Sequence, residues 1–196
     1  MGFDIRMVTA SEASLPEGYS PQFPDDPSYW RFAGTGMAVM RAVMILAGVI
    51  DTDMVKMDWP DWPAGISDER GADLTLFLDE GEDVEPPITA SERTAMEEFR
   101  RRHDEVLATR SPKKGLVGAA KFLSNDGWLV TPDECTAIAE HLTAGLNRSW
   151  HFLWFRSGIV PPRALTNASF GETRDWIANW AHYNGIASSQ DGYRVW

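Results

Sequence analysis

A single cysteine, Cys135, in 196 residues leaves no partner for an internal disulfide and no set of thiolates for a cysteine-based zinc site. Long apolar runs are missing too. The most apolar stretch, Gly36 to Ile50, has fifteen residues and contains Arg41, so it is too short to cross a bilayer and suits a buried helix. The opening segment Met1 to Met7 carries Asp4 and Arg6 and has no apolar core, so a secretory signal is not expected there. Arg6 also stands where an N-myristoylation motif requires Ser or Thr. A cytoplasmic protein with one reduced thiol and no membrane contact is the expectation. Basic residues are scarce: 18 Lys and Arg against 29 Asp and Glu give a net charge of −11, which argues against direct nucleic-acid binding of the general kind. The chain has no Gly-x-Ser-x-Gly elbow, P-loop, His-Glu-x-x-His pair or paired Cys-x-x-Cys, the common signatures of nucleophilic, phosphoryl-transfer and zinc chemistry.

What is present is the composition of a folded protein, with 43% apolar and 24% charged residues, and its length suits a single domain over 1–196. The acidity is unevenly spread. Residues 1–90 hold 17 acids against 5 bases, whereas 91–196 hold 12 against 13. Most of the excess lies in 51–90, where 12 acids face only Lys56 and Arg70. That stretch also contains Trp59-Pro60-Asp61-Trp62-Pro63 and the run Asp79-Glu80-Gly81-Glu82-Asp83-Val84-Glu85-Pro86-Pro87. Proline, glycine and like charge together predict an acidic, loop-rich excursion over 51–88 within the domain.

Four helices are legible. The spacing of Met37, Met40, Val43, Met44 and Ala47 predicts a helix from about Thr35 to Ala47, stopped by Gly48. Thr89 and Glu92 form a capping-box pattern ahead of Met96, Phe99, His103, Val106 and Leu107. Thr131, Pro132 and Glu134 are the strongest start signal, followed by a core face of Cys135, Ile138, Ala139, Leu142 and Leu146 that is extrapolated through Trp150 and Leu153. A fourth start at Ser169 and Glu172 leads into Trp176, Ile177 and Trp180 and is expected to stop at Asn184-Gly185. Strands are expected at Phe3–Met7, Tyr29–Phe32, Leu74–Leu78 and Trp128–Val130, with a closing hairpin of Ile186–Ser188 and Tyr193–Trp196 about Asp191-Gly192. More helices than strands, unevenly separated, predict an α+β fold: about four helices packed on a small, mainly antiparallel sheet.

The order of several short motifs is similar to that of small uncharacterised proteins of bacteria and their phages. The motifs are Met1-Gly2-Phe3-Asp4, Tyr29-Trp30-Arg31-Phe32 leading into a helix, Ser124-Asn125-Asp126-Gly127-Trp128 before the Thr131 helix, and a Trp176–Trp180 helix followed by glycine and an aromatic strand. The resemblance covers about a third of the chain and does not extend to 51–90 or beyond Trp150. It implies an architecture and a phage or prophage accessory role, and supplies no catalytic residue.

Gly34-Thr35-Gly36 after an aromatic strand, with Asp53 about twenty residues on, has the outline of a dinucleotide fingerprint, but Val39 fills the third glycine position and no βαβ continuation follows. A tight strand-to-helix turn capped by Thr35 is the plainer expectation. His103, His141, His151 and His182 include no i, i+4 pair, and Cys135 falls on an apolar helix face, so a core thiol is expected. Asp51, Asp53, Asp58 and Asp61 lack the ligand spacing of a calcium loop, and no metal or cofactor is expected. Arg100-Arg101-Arg102, interleaved with Glu97, Glu98, Asp104 and Glu105, read as a salt-bridged helix face.

Of the nine tryptophans, Trp59 and Trp62 alone sit beside prolines in the acidic stretch, where exposed aromatics mark recognition surfaces. The expectation is therefore a non-catalytic binding protein. Trp59 and Trp62 are its anchors, and Asp58, Asp61, Asp79, Glu80, Glu82 and Asp83 steer a protein partner with a basic surface. The alternative is an enzyme with a site assembled in tertiary structure, binding a nucleotide at the Thr35 helix N-terminus.

Overall fold

The computed structural model of the chain describes residues 2–8, 20–80, 87–148 and 170–196. Two compact units emerge, one made of Met1–Lys56 with Ala108–Trp196 and the other of Met57–Leu107.

In the larger unit, Phe3, Ile5 and Met7 alternate with Asp4 and Arg6 to give β1 (Gly2–Met7) one buried and one solvent face. β2 (Tyr29–Ala33) buries Trp30 and Phe32 in the same way and runs straight into α1 (Gly34–Leu46). The cap of α1 is Ala33, which makes no side-chain hydrogen bond; Thr35 lies inside the helix, contrary to the expected cap. The helix stops at Gly48, whose φ of 73° is a conformation glycine adopts without steric cost. β3 (Ile50–Asp51) follows and pairs in parallel with β4 (Val117–Gly118), two short strands without a sequence signature. A 3₁₀ turn (Ala119–Phe122) leads to β5 (Trp128–Val130).

The smaller unit contains α2 (Asp68–Glu80) and α3 (Ala90–Leu107). The strand expected at Leu74–Leu78 is therefore a helix. Its start signal is Ser67, whose hydroxyl accepts the Arg70 N–H at 3.2 Å, and Thr75 back-bonds to the Gly71 carbonyl at 2.9 Å. A five-residue apolar run cannot by itself separate strand from helix. The predicted capping box of α3 is complete: Glu92 N–H donates to Thr89 Oγ1 at 3.1 Å, and Thr89 N–H donates to Glu92 Oε2 at 2.8 Å.

α4 (Pro132–Leu146) and α5 (Phe170–Ala187) return to the larger unit, and β6 (Tyr193–Val195) closes it. The extrapolation of α4 through Trp150 and Leu153, and the Ser169 cap, fall outside the described residues. α5 does not stop at Asn184-Gly185. The buried Asn184 amide donates to the Trp180 carbonyl at 2.8 Å and accepts from Tyr193 Oη at 3.1 Å, which keeps the residue in the helix. The closing hairpin is absent for the same reason, since Ile186 and Ala187 are helical. The Asp191-Gly192 turn is present, with φ of 82° at Gly192 and no room for a Cβ against the Val130 carbonyl. It feeds β6 into the middle of a four-stranded antiparallel sheet of order β2-β1-β6-β5. The described residues thus form an α+β fold with five helices, a four-stranded antiparallel sheet and a two-stranded parallel pair.

The sheet's inner face meets α1 and α5 through an aromatic cluster. Trp180 stacks on Tyr183 with centroids 5.3 Å apart and meets Phe32 edge-on at 5.1 Å, and Trp30 and Tyr193 close the group at 5.5 and 5.7 Å from Trp180. Cys135, Ile138 and Leu142 of α4 are fully buried, and so is Trp180. Burial pushes the Cys135 thiol strongly upward, so it is an inert core group. Lys121 and Glu134 are also buried. Lys121 Nζ donates to Glu134 Oε2 at 2.8 Å and to the Leu129 carbonyl at 2.6 Å. Desolvation lowers the Lys121 pKa, and Glu134 partly offsets this.

Two substitutions test this core by chemical denaturation. Trp180→Ala is expected to cost about 3–5 kcal/mol, as for other buried aromatics. Lys121→Met leaves Glu134 charged and unpaired and is expected to cost about 3–5 kcal/mol, most of it recovered by adding Glu134→Leu. Equal stability of Lys121→Met and the parent would show that the pair contributes nothing.

Candidate functional site

The two Asp-Trp-Pro steps before α2 lay their rings on α3. Phe99 and His103 are four residues apart and share one helix face. Trp62 stacks on Phe99 with centroids 4.5 Å apart and planes at 19°, and Trp59 lies over His103 at 4.9 Å and 31°. Phe99 and His103 are 6.0 Å apart, so the four rings form one row, Trp62–Phe99–His103–Trp59. The three-residue spacing of the tryptophans matches the four-residue spacing of their supports. Gly71 of α2 completes the seat: a Cβ there would come within 2.6 Å of Trp62 Cε3. Trp62 is half-buried, whereas Trp59 keeps 40% of its surface exposed. Sequence reasoning missed Phe99 and His103 as site residues because their spacing reads as an ordinary core face. The matched spacing of the two Asp-Trp-Pro steps is the signal that could have found them.

Asp58 and Asp61 flank this row and are exposed. Asp79 and Glu80 lie in the last turn of α2, and Glu82 and Asp83 lie outside the described residues. The unit Met57–Leu107 as a whole carries 15 Asp and Glu against 5 arginines, a balance of −10 out of the chain's −11. It is tied internally by Arg70, whose Nε donates to Glu92 Oε1 at 3.0 Å. That bond, with the N–H and hydroxyl of Thr89, holds the Glu92 carboxyl down to about 2. The Nη1 and Nη2 atoms of Arg70 are buried without a hydrogen-bond partner, an arrangement that costs free energy until an acceptor meets them. On α3, Arg101 pairs with Glu98 at 2.6 Å and with Glu105, as expected for a salt-bridged exposed face.

Asp51 and Asp53, weighed above as cation ligands, belong to the larger unit and already hold an internal cation. Lys113 Nζ bridges them at 2.7 and 2.6 Å. The buried Asp51 carboxylate also accepts from Ser111 Oγ at 2.6 Å and from the Asp53 N–H at 3.2 Å. The Lys113 and Ser111 hydrogen bonds hold its pKa below the usual carboxylate range, so the cluster is a satisfied clamp between β3 and the segment before β4. Among the described residues no three His, Cys, Asp or Glu side chains converge on a metal position. His141 Nδ1 lies 3.0 Å from the Ala47 carbonyl, which can only accept, so Nδ1 carries the proton. The ring lines a cavity of about 360 Å³ with Glu140 and Arg148. No Ser, Thr, Cys or Lys side chain lines that cavity.

Comparison with protein-family models, with curated proteins and with solved structures finds no match to this chain.

The Arg70–Glu92 pair sets a pH dependence. The folded value of Glu92, about 2, lies below its ordinary 4.5. The native state thus binds fewer protons between these limits, and the stabilisation is complete above about pH 4.5 and is lost as the pH falls toward 2. Thermal melts of Glu92→Gln and the parent should differ most near neutral pH and converge on acidification. A constant difference from pH 6 to pH 2 would remove the linkage.

Proposed function

We propose that the protein is a non-catalytic binding protein whose Met57–Leu107 unit docks a protein partner with a basic surface, with Trp59 as its central anchor. The observation that carries this reading is Trp59 itself. It is a large aromatic, 40% exposed, held in one orientation against His103 beside the exposed acids Asp58 and Asp61. An exposed ring that is already immobilised loses little entropy on binding, the property that makes tryptophan a frequent interface anchor. Trp62 serves as the support beside it. The balance of −10 on this unit raises the association rate of a cationic partner and disfavours an acidic one. A phage or prophage accessory role in the cytoplasm fits the motif order described above. Among the described residues, no helix is long and apolar enough to cross a membrane.

The test starts from a partner captured with the immobilised full chain and then titrated at two salt concentrations. Trp59→Ala is expected to weaken binding by about tenfold or more while the thermal melt is unchanged. The double variant Asp58→Asn/Asp61→Asn is expected to slow association and flatten its salt dependence, with a smaller effect on dissociation. Normal binding by Trp59→Ala would make the aromatic row scaffold only and refute the reading.

A further inference from the structure

The row Trp62–Phe99–His103–Trp59 sets its rings side by side and not around a common centre, since successive planes differ by only 19°, 30° and 31°. A cage for a quaternary ammonium needs rings on several sides of one cation. This row offers a platform instead. Its exposed end is Trp59, which lies over His103 at 4.9 Å and keeps 40% of its surface exposed.

The charge around that platform is not neutralised from within. Asp58 and Asp61, one residue before Trp59 and two after it, are exposed. Among the described residues neither makes an ion pair or a side-chain hydrogen bond, and the same holds for the exposed Asp68, Glu69 and Asp73 of α2. On α3, by contrast, Glu92 is bonded to Arg70, and Glu98 and Glu105 to Arg101. The unpaired carboxylates thus belong to the loop that carries Trp59 and to the helix that seats Trp62 at Gly71.

Three side-chain chemistries compete for such a platform. An apolar or aromatic side chain would cover the indole and desolvate Asp58 and Asp61 with no counter-charge, which is costly. A lysine ammonium is a compact, strongly hydrated point charge and gains little from lying on a ring. A guanidinium is planar and weakly hydrated, so its face stacks on the indole while its edge donates to a carboxylate. We propose that the segment docking on Met57–Leu107 is arginine-rich, with one guanidinium stacked on Trp59 and donating to Asp58 or Asp61. This rests on the docking reading above and names the side chain that the site recognises.

The test is fluorescence anisotropy of labelled hexa-arginine and hexa-lysine, equal in charge, with the full chain. The acidic unit attracts both, and hexa-arginine is expected to bind about three- to fivefold more tightly. Trp59→Leu should reduce that ratio to near one, and Trp59→Phe, which keeps a smaller ring, should retain part of it. Asp58→Asn/Asp61→Asn should weaken hexa-arginine by about threefold or more. Should Trp59→Leu fail to fold, titration of the nitrogen-15-labelled parent decides. Hexa-arginine is expected to shift the Trp59 indole N–H together with the amides of 58–62, and hexa-lysine to leave that indole in place. Equal affinity of the two peptides for the parent, a ratio unchanged in Trp59→Leu, or an indole that answers both peptides alike would each overturn the proposal. If the peptides bind equally while Trp59→Ala still weakens the captured partner, the arginine assignment falls and the docking reading stands.

Discussion

An ammonium group shut off from water sets the terms for the larger unit. Lys121 is buried at the 3₁₀ turn, and its charge is met by Glu134 from the first turn of α4 and by the Leu129 carbonyl of β5. Glu134 Oε2 also takes the N–H of Thr131 at 2.9 Å and its hydroxyl at 3.1 Å, so one oxygen both neutralises the lysine and terminates the helix. Its other oxygen is buried without a hydrogen-bond partner, a cost that the bonds to Oε2 must offset. Either charge alone would be far too costly at this depth. Residues 121–134 must therefore close together, and this places β5 beside β6 and sends α4 across to α5.

The position of β6 is the second constraint. It lies between β1 and β5, so the sheet is continuous only once strands from opposite ends of the sequence have met. Such long-range pairing is slow to form, because the loop entropy is lost before contacts return it. Compensation comes from the aromatic cluster, where Trp30, Phe32, Trp180, Tyr183 and Tyr193 bury large rings against one another in tilted, edge-on and stacked pairs. Because the cluster fills one face of the sheet, the other face is left to charged and half-exposed residues.

Charge is partitioned as sharply as structure. The unit Met57–Leu107 holds nearly the whole negative excess together with an exposed tryptophan, while the rest of the chain is close to neutral and presents arginines on its sheet. The buried Cys135 and the Lys113-occupied Asp51–Asp53 pair are both spent on holding the fold together.

Local rules determined much of this. Alternation at Phe3–Met7 and Tyr29–Phe32 and the capping residues Thr89 and Thr131 are short-range devices whose energetics lie within a few residues, so they could be read directly from the sequence. The same holds for the burial of Cys135 and for the acidity of the middle segment. What failed was decided by contacts outside the segment being read, some a few residues away and some far along the chain. Leu74–Leu78 is helical through the start signal at Ser67. Asn184 stays in α5 because Tyr193 gives it a partner. Lys113 neutralises aspartates some sixty residues away. The seat of Trp59 and Trp62 on His103 and Phe99, and the meeting of Arg6 with Arg194, have no local cause. Packing and strand register decide which side chains share a surface, and those depend on the whole chain having folded.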